Sequence, residues 1–244
     1  MIEPVNTTRK IDVLDHGYVR LVSYMQPADP SEGWTADLEV VRNARVSYDA
    51  DWRTGEDEGK DAKLLDYLVK NSHTSPLEAA VFTFEVKAPL FVLRQWHRHR
   101  TWSFSEVSGR YSELPEEFYV PETAQITTQS TSNKQMRTKQ EHSEALDLSE
   151  GIQRACKASF EVYKELLARG CPRELARGVL PLNTYSHMFC TVDLHNLAHF
   201  LRLRLHEHSQ YEIRVFAQAL LDLITPIVPV LTGALRKHRL PCEK

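Results

Sequence analysis

Apolar and polar side chains alternate from Val19 to Met25 (VRLVSYM), the two-residue period of a strand with one buried face. A β-branched and aromatic run at Val81–Val86 (VFTFEV) and a second apolar stretch from Leu182 to Val192 read as further strands. Elsewhere the period lengthens to that of a helix. Ala36–Tyr48 places Leu38, Val41, Ala44 and Val46 near one face, and Ala62–Lys70 turns Leu64, Leu65, Tyr67 and Leu68 inward. Pro89, tolerated in a first turn, opens a short helix through about Trp96. Ile152–Ala168 carries Ile152, Ala155, Phe160, Tyr163 and Leu166 at helical spacing, and Gly170 and Pro172 stop it. Leu194–Leu205 and Glu212–Ile224 are amphipathic helices. Residues 1–17 read as a loose lead-in. Asp49–Lys60, charged and with two glycines, reads as an exposed loop. Ala124–Ser149, rich in Thr, Gln, Ser and Lys, reads as a mobile loop leading into a helix. No internal repeat is visible. The pattern predicts an α+β fold, an antiparallel sheet with helices packed on it, in a single domain over 1–244.

Composition narrows the function classes. With 42% hydrophobic and 26% charged residues the chain is an ordinary globular one. A formal charge of −3 gives no global attraction to nucleic acid or to an anionic membrane. No apolar run approaches the roughly 18 residues that span a bilayer, and the N-terminus has no apolar signal core. Cys156, Cys171, Cys190 and Cys242 are widely scattered without C-x-x-C spacing, as reduced thiols of a cytoplasmic protein would be. None sits in a recognisable nucleophile motif, and Cys190 in MFCTV reads as a buried strand residue.

Against this neutral background stands RHRTWSFSEVSGRYS. Arg98, His99, Arg100 and Arg110 fall within thirteen positions, with one carboxylate, Glu106, among them. Guanidiniums are always charged and present a planar fork of donors that fits phosphate oxygens in pairs. Ser108 and Gly109 add a hydroxyl and an approachable backbone N–H. Trp96, Trp102 and Phe104 interleave with the arginines, which suits a flat conjugated ligand and its phosphates better than a solvated basic face. If Glu106–Arg110 is extended, Glu106, Ser108 and Arg110 share one surface. Ser108 has no general base at a diagnostic spacing and reads as a binding residue.

The spacing R-H-R-x7-S-x-R resembles the signature of the flavin-dependent thymidylate synthases, with every fixed position present. The resemblance runs from about Val40 through His73-Thr74-Ser75-Pro76-Leu77-Glu78, Phe82-Thr83-Phe84 and Arg94-Gln95-Trp96. It resumes at Glu174-Leu175-Ala176-Arg177 and continues through Leu203-Arg204 to about Ala219. It implies reductive methylation of dUMP to dTMP, with 5,10-methylenetetrahydrofolate as carbon donor, NADPH as reductant through FAD, and tetrahydrofolate as product. It implies a homotetramer with active sites shared between subunits. Gln95, Trp96, His97, Arg98, Glu106, Val107, Ser108, Gly109, Arg110, Arg177 and Arg204 would bind dUMP. Ser75, Arg98, His99, Arg100, Glu106, Asp193, Leu194, His195 and His199 would hold FAD, and His73 and Tyr111 would lie near the flavin and the folate. Arg204 would be the electrostatic catalyst, favouring negative charge on uracil N3 so that C5 becomes electron-rich. Arg202 lies two residues away, so a slip of register exchanges the two. Asparagine is common in the family where this chain has Asp193 and His199.

Two other readings compete. Aromatics among arginines are also the stacking platform of a nucleotide or single-stranded RNA binding module. His195 and His199, four apart on a predicted helix, have metal-ligand spacing. H-N-L-A-H lacks the glutamate base of H-E-x-x-H, and among eleven histidines such pairs arise by coincidence, so no metal is expected.

Overall fold

The structure, a computed structural model, describes residues 9–27 and 35–241. Most of the first half of the expected lead-in, and Cys242, lie outside the described residues. The second half of that lead-in is a strand: β1 (Lys10–Val13) pairs antiparallel with β2 (Gly17–Tyr24) in register Lys10↔Arg20 to Val13↔Gly17. Four residues are too short to show a period in sequence. Gly17 has no substitute here, because a Cβ would lie 2.6 Å from Val13 O and 2.8 Å from Lys87 O.

Two helices follow, α1 (Ala36–Arg45), extended by a 3-10 turn at Val46–Tyr48, and α2 (Glu58–Lys70). α2 begins before the predicted Ala62 because Asp57 caps it, its Oδ1 accepting from Lys60 N at 3.0 Å. The inward faces differ from the predicted ones. In α1 Ala36, Asp37, Glu39, Val40 and Val41 are buried and Val46 is exposed; in α2 Leu65 and Leu68 are buried and Tyr67 is exposed. A buried acid, Asp37, is the cause in α1: it accepts from Val230 N and Leu231 N at 2.9 and 3.0 Å, turning that side of the helix toward the C-terminal segment.

β3 (Val81–Pro89) leads into α3 (Leu90–Trp96), with Pro89 at the N-cap. After β4 (Ser103–Glu106) the polar stretch expected to be a loop holds a ribbon, β5 (Thr127–Gln129) against β6 (Arg137–Glu141). Its order comes from polar bonds that composition conceals, among them Thr128 Oγ1 to Thr138 Oγ1 at 2.6 Å and Arg137 to Gln125 O at 2.7 Å. The chain continues through α4 (Ala145–Ala168), ended by Gly170 at φ +81°, then α5 (Arg173–Ala176) and β7 (Tyr185–Asp193). It closes with α6 (Leu194–Arg204), α7 (Tyr211–Ile224) and α8 (Pro229–His238). α8 lies beyond the last helix foreseen from the sequence; the second proline of TPIVPV is its first residue.

The five-stranded sheet runs β1-β2-β3-β7-β4, every pairing antiparallel. β3 and β7 pair over their full length, Val81↔Asp193 to Pro89↔Tyr185. Phe82, Phe84, Val86, Met188, Cys190 and Val192 point into the main core, with Trp96, Phe200 and Phe216 from the helices. Residues between them, including Thr83, Lys87, His187 and Phe189, form the other face. A smaller cluster under α4 gathers Phe118, Cys156, Phe160, Tyr163 and Ala176.

Candidate active site

The sheet puts the two ends of the basic motif on different supports. α3 leaves β3, α6 leaves the adjacent β7, and the two meet through aromatic rings. Trp96, wholly buried, lies 4.8 Å from Phe200 by ring centroids, and Trp102 lies 5.1 Å from the same ring. Pinned at both Trp96 and Trp102, the chain between turns tightly, with His99 N donating to Trp96 O and Trp102 N to His99 O. His99 therefore points inward while Arg98 and Arg100 stay exposed.

Inside that turn Arg204 finds its partners. Its Nε donates to His99 Nε2 at 3.0 Å and a terminal nitrogen donates to Gln95 O at 2.9 Å. The histidine has to accept, so it is neutral. Burial, reinforced by the charge of Arg204 and by His199, pushes its pKa down to about 4. Burial also draws Arg204 below its usual value, though a guanidinium remains protonated. The side chain of Gln95 is held separately, its Nε2 donating to Gln210 Oε1 at 2.7 Å. Arg202 does not share this arrangement, so of the two arginines it is Arg204 that faces the motif.

Ser108, Gly109, Arg110 and Arg177 form a second group. β4 ends at Glu106, and Tyr111 N and Ser112 N then both donate to Ser108 O, so the segment turns. Glu106, Ser108 and Arg110 do not share an extended face, contrary to the expectation, because the turn closed on Ser108 O ends the strand's two-residue period. Glu106 instead accepts from Ser186 Oγ at 2.5 Å and lies 3.7 Å from His97 Nε2. Val107 N donates to His187 O. Ser108 Oγ accepts from Arg110 N at 3.3 Å, and Arg110 pairs with Glu174 at 3.3 Å. Gly109 is closely packed: a Cβ would lie 3.1 Å from Leu114 and 3.2 Å from the Arg177 side chain, so a larger residue would have to displace them. Tyr111 is 81% exposed. No hydrogen bond or ion pair among the described residues joins this group to Gln95, His99 or Arg204.

A third group surrounds an open cleft between α2, α6 and α8. Leu68, Thr74 and Leu77 meet His195, His199 and Arg202 there. His73 packs edge-on against Tyr67 at 5.4 Å, and Ser75 opens the 3-10 turn Ser75–Ala79 beside it. Two residues expected at the flavin also make bonds within the chain. Asp193 caps α6, accepting from Asn196 N at 2.9 Å and Asn196 Nδ2 at 2.7 Å. Leu194 is buried, and its amide donates to Ala80 O. Sequence reasoning passed over Thr74 and Arg239, which also line the cleft, and treated Arg202 only as a rival of Arg204. The signal was there: His195, His199 and Arg202 recur at i, i+4 and i+7. Cys190 is buried, which pushes its thiol well above the usual range and leaves it inert.

A family profile described as thymidylate synthase complementing protein matches residues 21–230. The flavin-dependent thymidylate synthase of Treponema denticola is 42% identical over 232 residues, 94% of this chain and 83% of that one. That of a Thermus thermophilus strain is 45% identical over 231 residues, 94% of this chain and 79% of its own. The chain belongs to the flavin-dependent thymidylate synthase family. A UMP/dUMP methylase, PolB from Streptomyces cacaoi, solved with 5-Br dUMP, superposes with a TM-score of 0.81 at 33% identity, covering 94% of this chain and 99% of that one. The α+β architecture is thus one this family shares with a nucleotide methylase. All three groups of side chains fall inside the matched span; of the cleft wall, only Leu235 and Arg239 lie beyond it.

Proposed function

We propose that this protein is a cytoplasmic thymidylate synthase that methylates dUMP reductively to dTMP, with FAD as cofactor. The observation that carries the reading is the grip of His99 and Gln95 on Arg204 at the end of α6. A positive group fixed in advance is what uracil needs, because C5 is a poor nucleophile until negative charge can build on N3 and O4. A neutral His99 orients that group without adding a competing cation. Ser108, Gly109, Arg110 and Arg177 supply the hydroxyl, backbone and guanidinium donors for the sugar and phosphate, with Gln95, Trp96, His97, Arg98 and Val107 around the same nucleotide. The Glu106 oxygen that faces His97 would serve the ribose side.

The cleft suits a flavin. Its floor is apolar, its polar wall carries two guanidiniums, and among the described residues no carboxylate lines it. Ser75, His195 and His199 would hold FAD there with the exposed Arg98 and Arg100, while His99 and Glu106 border it; the carboxylate of Asp193 is engaged by Asn196 at the N-terminus of α6. FAD would supply the two-electron chemistry that couples NADPH oxidation to delivery of the one-carbon unit of 5,10-methylenetetrahydrofolate as a methyl group, leaving tetrahydrofolate. His73 and the open ring of Tyr111 would flank the flavin and folate. By the family resemblance the functional unit would be a homotetramer.

The test is the visible spectrum of the purified protein under anaerobic NADPH, with and without dUMP. Flavin absorbance that bleaches faster with dUMP supports the reading. A colourless protein that takes up no FAD overturns it, and oligonucleotide binding with a steep salt dependence would put a single-strand binding module in its place.

A further inference from the structure

We propose that Arg202 is this chain's own anion-binding group in the cleft and that it takes the diphosphate of FAD. The inference rests on the flavoenzyme reading above and deepens it. Arg202 and Arg204 close the same helix, yet they leave it in different directions: Arg204 turns to His99 and Gln95, and Arg202 lines the cleft with His195 and His199. The helix dipole favours any cation in that last turn. It explains why arginines are tolerated there, but not why one of them stands on the wall of a cleft.

The charge balance of the cleft singles Arg202 out. Burial, with the nearby charge of Arg202 and His195, holds the pKa of His199 below its ordinary value, so His199 brings no charge at neutral pH. The fixed charges on the wall are the guanidiniums of Arg202 and Arg239. Arg239 is already occupied, with Nε on Val69 O at 2.9 Å and a terminal nitrogen on Ser72 Oγ at 2.6 Å. Arg202 makes one long contact, 3.4 Å to His199 Nδ1, and is exposed. At the far end of α6 the one acid, Asp193, is held by Asn196. The result is an apolar slot with a single uncommitted guanidinium at its rim. The diphosphate is the only anionic part of FAD, and a guanidinium meets two of its oxygens at once.

Flavin-stripped wild type, Arg202→Ala, Arg202→Gln and Arg202→Lys are each titrated with FAD, FMN and riboflavin by fluorescence, and dUMP binding is measured alongside. The expected result is that the alanine and glutamine variants bind FAD about tenfold or more weakly. Lysine recovers part of the loss, riboflavin binds all forms alike, and dUMP affinity does not move. Unchanged FAD affinity in the variants overturns the proposal, as does an equal loss for FAD and riboflavin, which would make Arg202 a contact of the ring. Wild type that takes up no flavin at all brings down the flavoenzyme reading itself, a result distinct from either.

Discussion

Arg204 gives up two of its donors to His99 and Gln95, and that commitment makes it a fixed charge rather than a mobile one. Lysine at 204 keeps the charge but has no planar fork to bridge both acceptors. Arg204→Lys should therefore retain FAD and lower kcat for dTMP formation about a hundredfold, measured at saturating dUMP; turnover within a few-fold of wild type would remove Arg204 from the electrostatic role. Gly109 poses a second residue-scale question. Because an added methyl would press on the Arg177 side chain at 3.2 Å, Gly109→Ala should raise KM for dUMP about tenfold with kcat less affected, read from initial rates. Much of this site was legible in sequence because R-H-R-x7-S-x-R is contiguous. The bond between Arg204 and His99 was not, since it spans 105 positions and depends on two helices leaving neighbouring strands. Nor could sequence say that Asp193 is a helix cap, because an acid before an amphipathic run looks the same whether its partner is a backbone amide or a ligand.

Elements that were easiest to foresee are those with a clean period: β2, β3, β7, α6 and α7 all lie where alternation or helical spacing put them. Elements held by polar contacts were hidden. α8 is anchored by Asp37 of α1, whose carboxylate caps its first turn through Val230 N and Leu231 N. Burial outweighs those two bonds and pushes the Asp37 pKa up to about 6. A raised carboxyl pKa means that the folded state holds its proton more tightly than the unfolded chain. Its stabilising contribution is complete below about pH 4 and is lost as pH rises through 6. Relative to Asp37→Asn, wild type should lose up to about 3 kcal/mol between pH 4 and pH 7, followed by urea denaturation at each pH; a constant difference would refute the assignment. The β5–β6 ribbon is tied down by Arg137, which pairs with the buried Glu212 of α7 at 3.0 Å. Arg137→Ala should cost about 2 kcal/mol by leaving that carboxylate with only the Tyr119 hydroxyl, and adding Glu212→Gln should recover most of it. Melting temperatures of the single and double variants decide this, and an additive double loss would contradict it.

At the scale of the whole molecule, the residues proposed for one nucleotide fall into two groups with no hydrogen bond or ion pair joining them among the described residues. Arg204, His99 and Gln95 stand where α3 meets α6; Ser108, Gly109, Arg110 and Arg177 stand beyond the edge strand β4. Large apolar side chains beside the second group, Tyr111, Leu175 and Leu182, are more than half exposed, a poor choice for a surface that meets only water. Both facts suit an assembly in which each active site draws one group from one copy and the other from a neighbour. The consequence can be tested without a complex structure. Arg177→Ala and Arg204→Ala should each be inactive alone. Co-expressed in equal amounts, they should regain activity, since random assembly gives about a quarter of the sites a native Arg177 from one copy and a native Arg204 from another. A site completed within one chain would regain nothing, because every chain in the mixture carries one defect. Recovery near a quarter in purified mixed oligomers would establish the shared site, and its absence, with mixed assembly verified by differential tags, would return the whole of dUMP binding to a single subunit.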